Sequence, residues 1–433
     1  MKEISAFLYH SILVTWLYVR TLASYLWVLY LIRVLEIDYP AEKLKKKHVK
    51  NAIRYKKVAT KFRGGLIKLA QFISTQEKML PPEIVEILKT LQDDVEPVPY
   101  QDVEETIVDE LGALPEDIFD DFEKESIASA SFGQVHKARL KTGEIVAIKV
   151  QHKSIERSLD IDLTMAGHFL KAMASLLSKP QILDMYEEIK KALYIELNYK
   201  VEAEFATKFR ENFKDREDHL IPKIYEEFST SKVIVMDYID GYKITDLENI
   251  KTVNSTPEEI LEVLIDSYFQ QFYYDGFFHT DPHPGNLFYL KGENGVRISF
   301  IDFGQSKELE PEVQAGLKIA TMGVLTSNVS MVVDSFVTMG IITERERGKV
   351  TGIVSDVLSR VKEGSADAIM DLTMDFDFLR SKLSIIVHQL DIKFPEGVVL
   401  YGRTLAYLNG LIGTLSSSSD MFEIARRALI KRF

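Results

Sequence analysis

The first 35 residues are apolar almost throughout. ISAFLYHSILVTW runs into LYVRTLASYLWVLYLI, and between Glu3 and Arg33 the only strongly charged residue is Arg20, with His10 a weaker one. A helix over that span is long enough to cross a bilayer. Arg20 near its middle would cost about 2.5–3.5 kcal/mol on insertion scales unless it snorkels or is paired. The length of the stretch and the lack of a small-residue cleavage site argue against a signal peptide. Three readings stand: a spanning helix, a helix lying in the membrane interface, or a helix packed on another apolar surface.

Helical spacing then resumes. GLIKLAQFISTQEKML has its apolar residues three and four apart and stops at Pro81-Pro82, and PPEIVEILKTLQDDV restarts a helix with proline in its first turn. Tyr100 to Leu111 reads as a helix closed by Gly112. The period next shifts from helical to alternating. SFGQVHKARLKTGEIVAIKVQ predicts two strands joined by a Lys-Thr-Gly turn, and KVIVMDYI a further short strand. Ser154 to about Leu177 and Asp184 to Phe213 read as two helices, Pro257 to Asp275 as another. A loop rich in proline precedes the strand VRISFI, and Pro311 to Phe433 is mostly helix. The predicted class is α+β: a small β-rich N-lobe and a helical C-lobe in the order of a protein-kinase-like bilobal fold, with an extra helical N-terminal extension. The expected segments are 1–36 (apolar helix, a membrane anchor), 37–112 (basic segment and helical extension), 113–240 (N-lobe) and 241–433 (C-lobe).

Composition narrows the functional classes. With 433 residues the chain is longer than one compact core usually holds. It contains no cysteine, which excludes disulfides, thiolate catalysis and cysteine-based zinc sites. The formal charge of −12 conceals a basic block, eleven Lys or Arg and no acid between Lys43 and Lys68. Overall acidity argues against nucleic acid as a partner. The basic block beside an apolar helix would attract anionic headgroups and favour the cytoplasmic face of a membrane. It is equally the pattern of a solvated face on an amphipathic helix.

The chemistry lies in four short motifs. Transfer of a γ-phosphate needs positioning and charge stabilisation: a cation on the α and β phosphates, a carboxylate beside the attacking oxygen, and hard oxygen donors for Mg²⁺. Lys149 in Val146-Ala147-Ile148-Lys149 matches the strand lysine of kinases. His279-Thr280-Asp281, with Asn286 five residues after Asp281, keeps the spacing of H-R-D-x-x-x-x-N. This makes Asp281 the residue that orients the substrate hydroxyl and Asn286 a magnesium ligand. Asp302-Phe303-Gly304, after a strand, is where a second magnesium carboxylate belongs. His279 and His283 also invite a transition-metal reading, but Pro282 and Pro284 forbid the helix that would align them. Where a glycine-rich phosphate loop is expected stands Ala128-Ser129-Ala130-Ser131-Phe132-Gly133, a stiffer loop with one glycine.

These residues closely resemble the UbiB/AarF-type ("activity of bc1") atypical kinase family, over roughly Gly65 to Leu415. The alanine-rich loop in IASASFGQVHKA, the stretch KLAQFISTQEKMLPPEIVEILKTLQDDV, the HTDPHPGN loop, IDFG and the segment Met236 to Gly241 all look like the family's. The resemblance implies further roles. Lys68 and Gln71 would be the working residues of a K-x-G-Q helix that keeps protein substrates out. Glu196 would be the acidic partner of Lys149, and Glu202 would face Lys68. Asp237 and Tyr238 would belong to the nucleotide hinge. Two positions depart from the family: Ala70 replaces the glycine of K-x-G-Q, and Asn198 replaces the usual Asp two residues after Glu196. The expected function is a UbiB-like ATPase or small-molecule kinase using ATP and Mg²⁺ at a membrane. It would contact anionic or isoprenoid lipid and support ubiquinone or related lipid metabolism. The alternative is a non-catalytic ATP-gated scaffold for a lipid-biosynthetic protein complex. An aminoglycoside- or choline-kinase-like enzyme shares the H-x-D-x-x-x-x-N loop, but the KLAQ helix and the alanine loop argue against it.

Overall fold

The computed structural model describes residues 2–62, 64–75, 80–91, 97–362, 394–415 and 427. The chain forms two compact units, residues 1–203 with 224–238 and residues 204–223 with 239–433. Residues 92–96 of the expected LQDDV segment and parts of the C-terminal helical stretch lie outside the described residues.

The first unit joins a helical layer to a sheet. Its helices are α1 (Lys2–Arg33), α2 (Ala41–Phe62), α3 (Gly65–Thr75), α4 (Pro82–Lys89), α5 (Tyr100–Leu111) and the single turn α6 (Pro115–Ile118). Strands β1 (Phe119–Phe122), β2 (Ala128–Ser129), β3 (Gly133–Leu140) and β4 (Ile145–Gln151) follow. Then come α7 (Ile155–Leu177), α8 (Gln181–Leu197), the start of α9 (Tyr199–Asn212) and β5 (Val233–Asp237). The sheet runs β1-β3-β4-β5, antiparallel, with β2 paired to β3. Period-two alternation sets its faces. Val146, Ile148 and Val150 of β4 are fully buried in a core with Ala138, Leu140, Val233 and Val235, while Ala147 and Lys149 project to the other face. Helix α5 ends as expected, with Gly112 left-handed at φ 76° and its amide donating to the Val108 carbonyl.

Helix α1 docks along one side. Val14 and Tyr18 enter a core shared with Ala59 of α2, Leu66 and Leu69 of α3, Leu159 and Leu163 of α7 and Leu193 of α8. Tyr18 stacks on Phe169 with centroids 5.0 Å apart. His10 bonds the buried Asp162 carboxylate at 2.8 Å; burial pushes that carboxyl up from its usual range, and His10 opposes the shift. The other side of α1 leaves Tyr9, Ile12, Trp16, Val19, Trp27 and Tyr30 exposed. Helix α2 lies alongside, its Asn51 and Lys47 bonded to Ser24 and its Lys61 bonded to the Tyr9 hydroxyl at 2.7 Å. Gly64, left-handed at φ 56°, turns the chain from α2 into α3; a side chain there would strike Ile155 at 2.6 Å.

The stretch from Asp184 to Phe213 is not one helix. The backbone of Asn198 is extended (φ −95°, ψ 96°), which ends α8 after Leu197 and lets α9 begin at Tyr199. Asn198 Oδ1 accepts from the Lys200 amide at 3.2 Å, so the asparagine caps the new helix.

The second unit takes α9 from Glu204 onward, β6 (Tyr242–Lys243), α10 (Pro257–Phe269), a π-helical turn at Gln270–Asp275, β7 (Phe277–His279), β8 (Leu287–Lys291), β9 (Val296–Phe300) and β10 (Ser306–Glu308). It continues into α11 (Pro311–Leu325), α12 (Val329–Thr338), α13 (Arg347–Lys362) and α14 (Glu396–Leu415). Helix α10 starts with a reciprocal Thr256–Glu259 capping box. Strand β8 went unread in the sequence because its LFYLK lacks strict alternation.

A charged clasp closes this unit. Arg216 holds Asp218 through two bonds of 2.7 and 2.6 Å and reaches Asp266 on α10 at 2.7 Å, while His219 Nδ1 bonds Asp218 at 2.9 Å. Burial alone would raise the Asp218 carboxyl, but His219 and Arg216 outweigh it and hold it well below the usual carboxylate range. The stabilisation from a depressed carboxylate is full above its unfolded pKa, about 3.9, and is lost as pH falls below that value. Asp218→Asn is therefore expected to lower the urea-unfolding free energy by about 1 kcal/mol at pH 7, a small figure because the carboxylate is partly exposed. The gap from the unmodified chain should close as the pH is taken below about 4.

Candidate active site

In the first unit the ladder fixes where Lys149 stands. It pairs with Val135 of β3 and Ile234 of β5, so strands flank it on both sides. Its ammonium makes two bonds to Glu202 on α9, at 2.9 and 2.8 Å, with the glutamate side chain only 4% exposed. Lys68 on α3 pairs with Glu196 near the end of α8, at 2.6 Å. Glu196, expected to face Lys149, is instead bonded to Lys68, and Lys149 takes Glu202. The cause is the break at Asn198, which places the two glutamates on separate helices. Asn198 itself is spent on capping. Ala70, in place of the family's glycine, is fully buried in the α3 core. Gln71 donates to the Leu91 carbonyl at 3.2 Å, tying α3 to the end of α4.

The alanine loop is anchored. Ala128 and Ser129 form β2 against β3, and the Ala130 amide donates to the Gly133 carbonyl at 2.8 Å. Phe132 inserts into the core of α1, α3 and α7, and Lys68 lies 5.8 Å from its ring centroid. The Ser129 and Ser131 hydroxyls are buried and have no hydrogen-bond partner among the described residues. Two orphaned donors in a loop expected to meet phosphates fit a nucleotide. At the hinge, the Tyr238 amide donates to the Ile145 carbonyl and Lys137 lies over the Tyr238 ring at 4.4 Å. Asp237 accepts from the Tyr225 hydroxyl at 3.0 Å; burial and this bond push the phenol up to about 12.

In the second unit an antiparallel hairpin assembles the acidic residues. Leu287 of β8 pairs with Phe300 of β9, so Asn286, just before the hairpin, and Asp302, just after it, emerge at the same end. The Ile301 amide donates to the Asn286 carbonyl at 3.1 Å. Asn286 Nδ2 donates to Asp281 Oδ2 at 3.3 Å, which leaves the amide oxygen, a hard donor, as its other face. Asp302 Oδ1 accepts from the Gly304 amide at 3.0 Å. These oxygens suit Mg²⁺.

His279 braces the loop. It is fully buried, its Nδ1 accepts from the Asp281 amide at 3.3 Å, and its Nε2 donates to the Asp302 carbonyl. Burial pushes this imidazole down, so it is neutral, as that pattern of one acceptor and one donor requires. Both ring nitrogens are thereby committed, and His283 Nδ1 accepts from the Gly285 amide. The sequence reading missed three supports. Gln271 accepts from the His279 amide at 2.9 Å, Thr280 donates to the Gln305 carbonyl at 2.7 Å, and Thr404 of α14 reaches the Thr280 carbonyl at 3.3 Å. Gln271 and Thr404 lie outside every motif and Thr280 fills the variable position of HTDPHPGN, so only their contacts reveal them.

The comparisons with known proteins agree with these motifs. The model of the ABC1 atypical kinase-like domain matches residues 90–336. The chain belongs to the ABC1 atypical kinase-like family. It is similar to the Arabidopsis thaliana chloroplastic protein named activity of bc1 complex kinase 8, 37% identical over 285 residues, covering 64% of this chain and 37% of that one. It is also similar to AarF domain-containing kinase 1 of Drosophila melanogaster, 37% identical over 243 residues, covering 56% of this chain and 47% of that one. The chain thus spans half or less of the length of these relatives. A solved Mycobacterium tuberculosis protein in complex with erythromycin shares the fold, with a TM-score of 0.56 at 21% identity, over 86% of this chain and 94% of that one. This ABC1-type chain therefore has the α+β, kinase-like fold expected of it, and a kinase-like domain implies nucleotide and metal use in general.

The exchanged pairing can be measured. A double-mutant cycle of Lys149→Met with Glu202→Gln, followed by urea unfolding, is expected to give a coupling of about 1–3 kcal/mol. The same cycle with Glu196→Gln should give a value near zero.

Proposed function

We propose that this ABC1-type chain binds Mg-ATP and hydrolyses it or transfers its γ-phosphate to a small molecule at a membrane surface. The observation that carries this reading is the Lys149–Glu202 pair, a strand lysine aimed by a buried helix carboxylate. Lys149 and the Ser129 and Ser131 hydroxyls bind phosphate oxygens. Asp281 orients the attacking oxygen and accepts its proton. Asn286 and Asp302 hold magnesium, which when bound neutralises charge on the phosphates. Neutral His279 keeps the backbone of Asp281 and Asp302 in place.

Membrane association is supported by α1. Phe7–Arg33 is long and apolar enough to cross a bilayer. Yet one side of α1 is committed to α7 and the other shows aromatic and aliphatic residues beside the lysines of α2. That arrangement favours a helix lying in the interface over a spanning one. The apolar face and the family resemblance together support an isoprenoid or other lipid as the surrounding substrate class. A scaffold reading is supported by the Lys68–Glu196 pair and the anchored Phe132, which make the loop a rigid nucleotide sensor.

Two experiments test the reading. Asp281→Asn and Asp302→Asn should each lower Mg-ATP hydrolysis on anionic vesicles by roughly 10²-fold or more. Unchanged hydrolysis in Asp302→Asn removes the enzyme reading, and cells that tolerate both variants favour the scaffold. In vesicle sedimentation, Trp16→Glu with Trp27→Glu should release the protein into the supernatant; continued pelleting removes the interfacial helix.

A further inference from the structure

Tyr199 touches both phosphate-binding elements of the first unit. It is the first residue of α9, 1% exposed, and its amide donates to the Ser231 carbonyl at 3.0 Å. Glu202 follows three positions later, so ring and carboxylate share one face of the helix. The Lys149 ammonium lies 5.0 Å from the Tyr199 ring centroid while Glu202 takes two bonds from it. The ring face lies against the same ammonium and attracts its positive charge.

The other end of the side chain meets the alanine loop. The Tyr199 hydroxyl lies 2.5 Å from where a side-chain carbon on Gly133 would stand, and the Val150 carbonyl is equally close. A side chain at Gly133 would clash with both, so this last position of a loop otherwise built of Ala, Ser and Phe requires glycine.

We propose that Tyr199 is a positioning residue whose ring sets the direction of the Lys149 ammonium. The proposal rests on the nucleotide reading of Lys149 given above. A side chain that merely fills the core would be replaceable by any apolar residue of similar bulk; a positioning ring would not.

The test uses the full chain with Tyr199→Phe, which keeps the ring, and Tyr199→Met, an adaptable filler without one. Tyr199→Leu is the second filler should the Met variant fail to fold. Acylation of Lys149 by an amine-reactive reagent, followed by peptide mass spectrometry without nucleotide, reads the lysine directly, with exposed Lys57 as the internal control. The expected result is several-fold faster labelling of Lys149 in the filler variant and an unchanged rate in Tyr199→Phe. Mg-ATP affinity should fall roughly two- to thirty-fold in the filler and stay near that of the unmodified chain in Tyr199→Phe. A folded filler variant with unchanged labelling and unchanged affinity overturns the proposal. If the unmodified chain binds no Mg-ATP while labelling still responds to loss of the ring, the nucleotide reading fails and the positioning of Lys149 stands.

Discussion

A lysine ammonium that projects from the middle of a sheet and is largely out of water must have a carboxylate to face, because an unpaired buried charge costs several kcal/mol. In this chain that requirement organises the first unit. Lys149 sits on a strand with neighbours on both sides, so its partner has to arrive from a helix. Glu202 does so only because α8 stops at Leu197 and Asn198 redirects the backbone. The same break gives Glu196 to Lys68 and places the Tyr199 ring under the ammonium. One residue in extended conformation thus brings Glu196 to Lys68 and Glu202 to Lys149.

The second unit meets a different constraint. Its two aspartates, Asp281 and Asp302, stand on separate loops that have to be held together through their backbones. A hairpin brings Asn286 and Asp302 to one end, and His279, kept uncharged by burial, ties the backbone of Asp281 to that of Asp302. An uncharged imidazole is suited to this, since a protonated ring could not accept from the Asp281 amide. The prolines and glycine of the loop limit its backbone freedom and so add rigidity that hydrogen bonds alone would not supply.

The helical layer gives the family's alanine loop a physical character of its own. Phe132 shares a core with α1, α3 and α7, so the loop is packed where a glycine-rich loop is free to move. The helix whose other face is apolar and exposed therefore contributes to the same core that fixes the loop.

The motifs were legible because they rest on local backbone geometry. Alternation placed Lys149 on a strand face, Gly112 closed α5, and the spacing of Asp281 to Asn286 and the Asp-Phe-Gly triplet survived folding unchanged. The sequence alone thus determined the α+β, kinase-like class, the strand lysine and the acidic loops. Which glutamate meets which lysine was decided by tertiary structure. An unbroken helical reading puts Glu196 and Glu202 at fixed relative angles, whereas the turn at Asn198 resets those angles and no residue spacing records it. The docked side of α1, the orphaned serines and the contact of Tyr199 with Gly133 were likewise beyond the sequence, since each joins residues brought together only by packing across the unit.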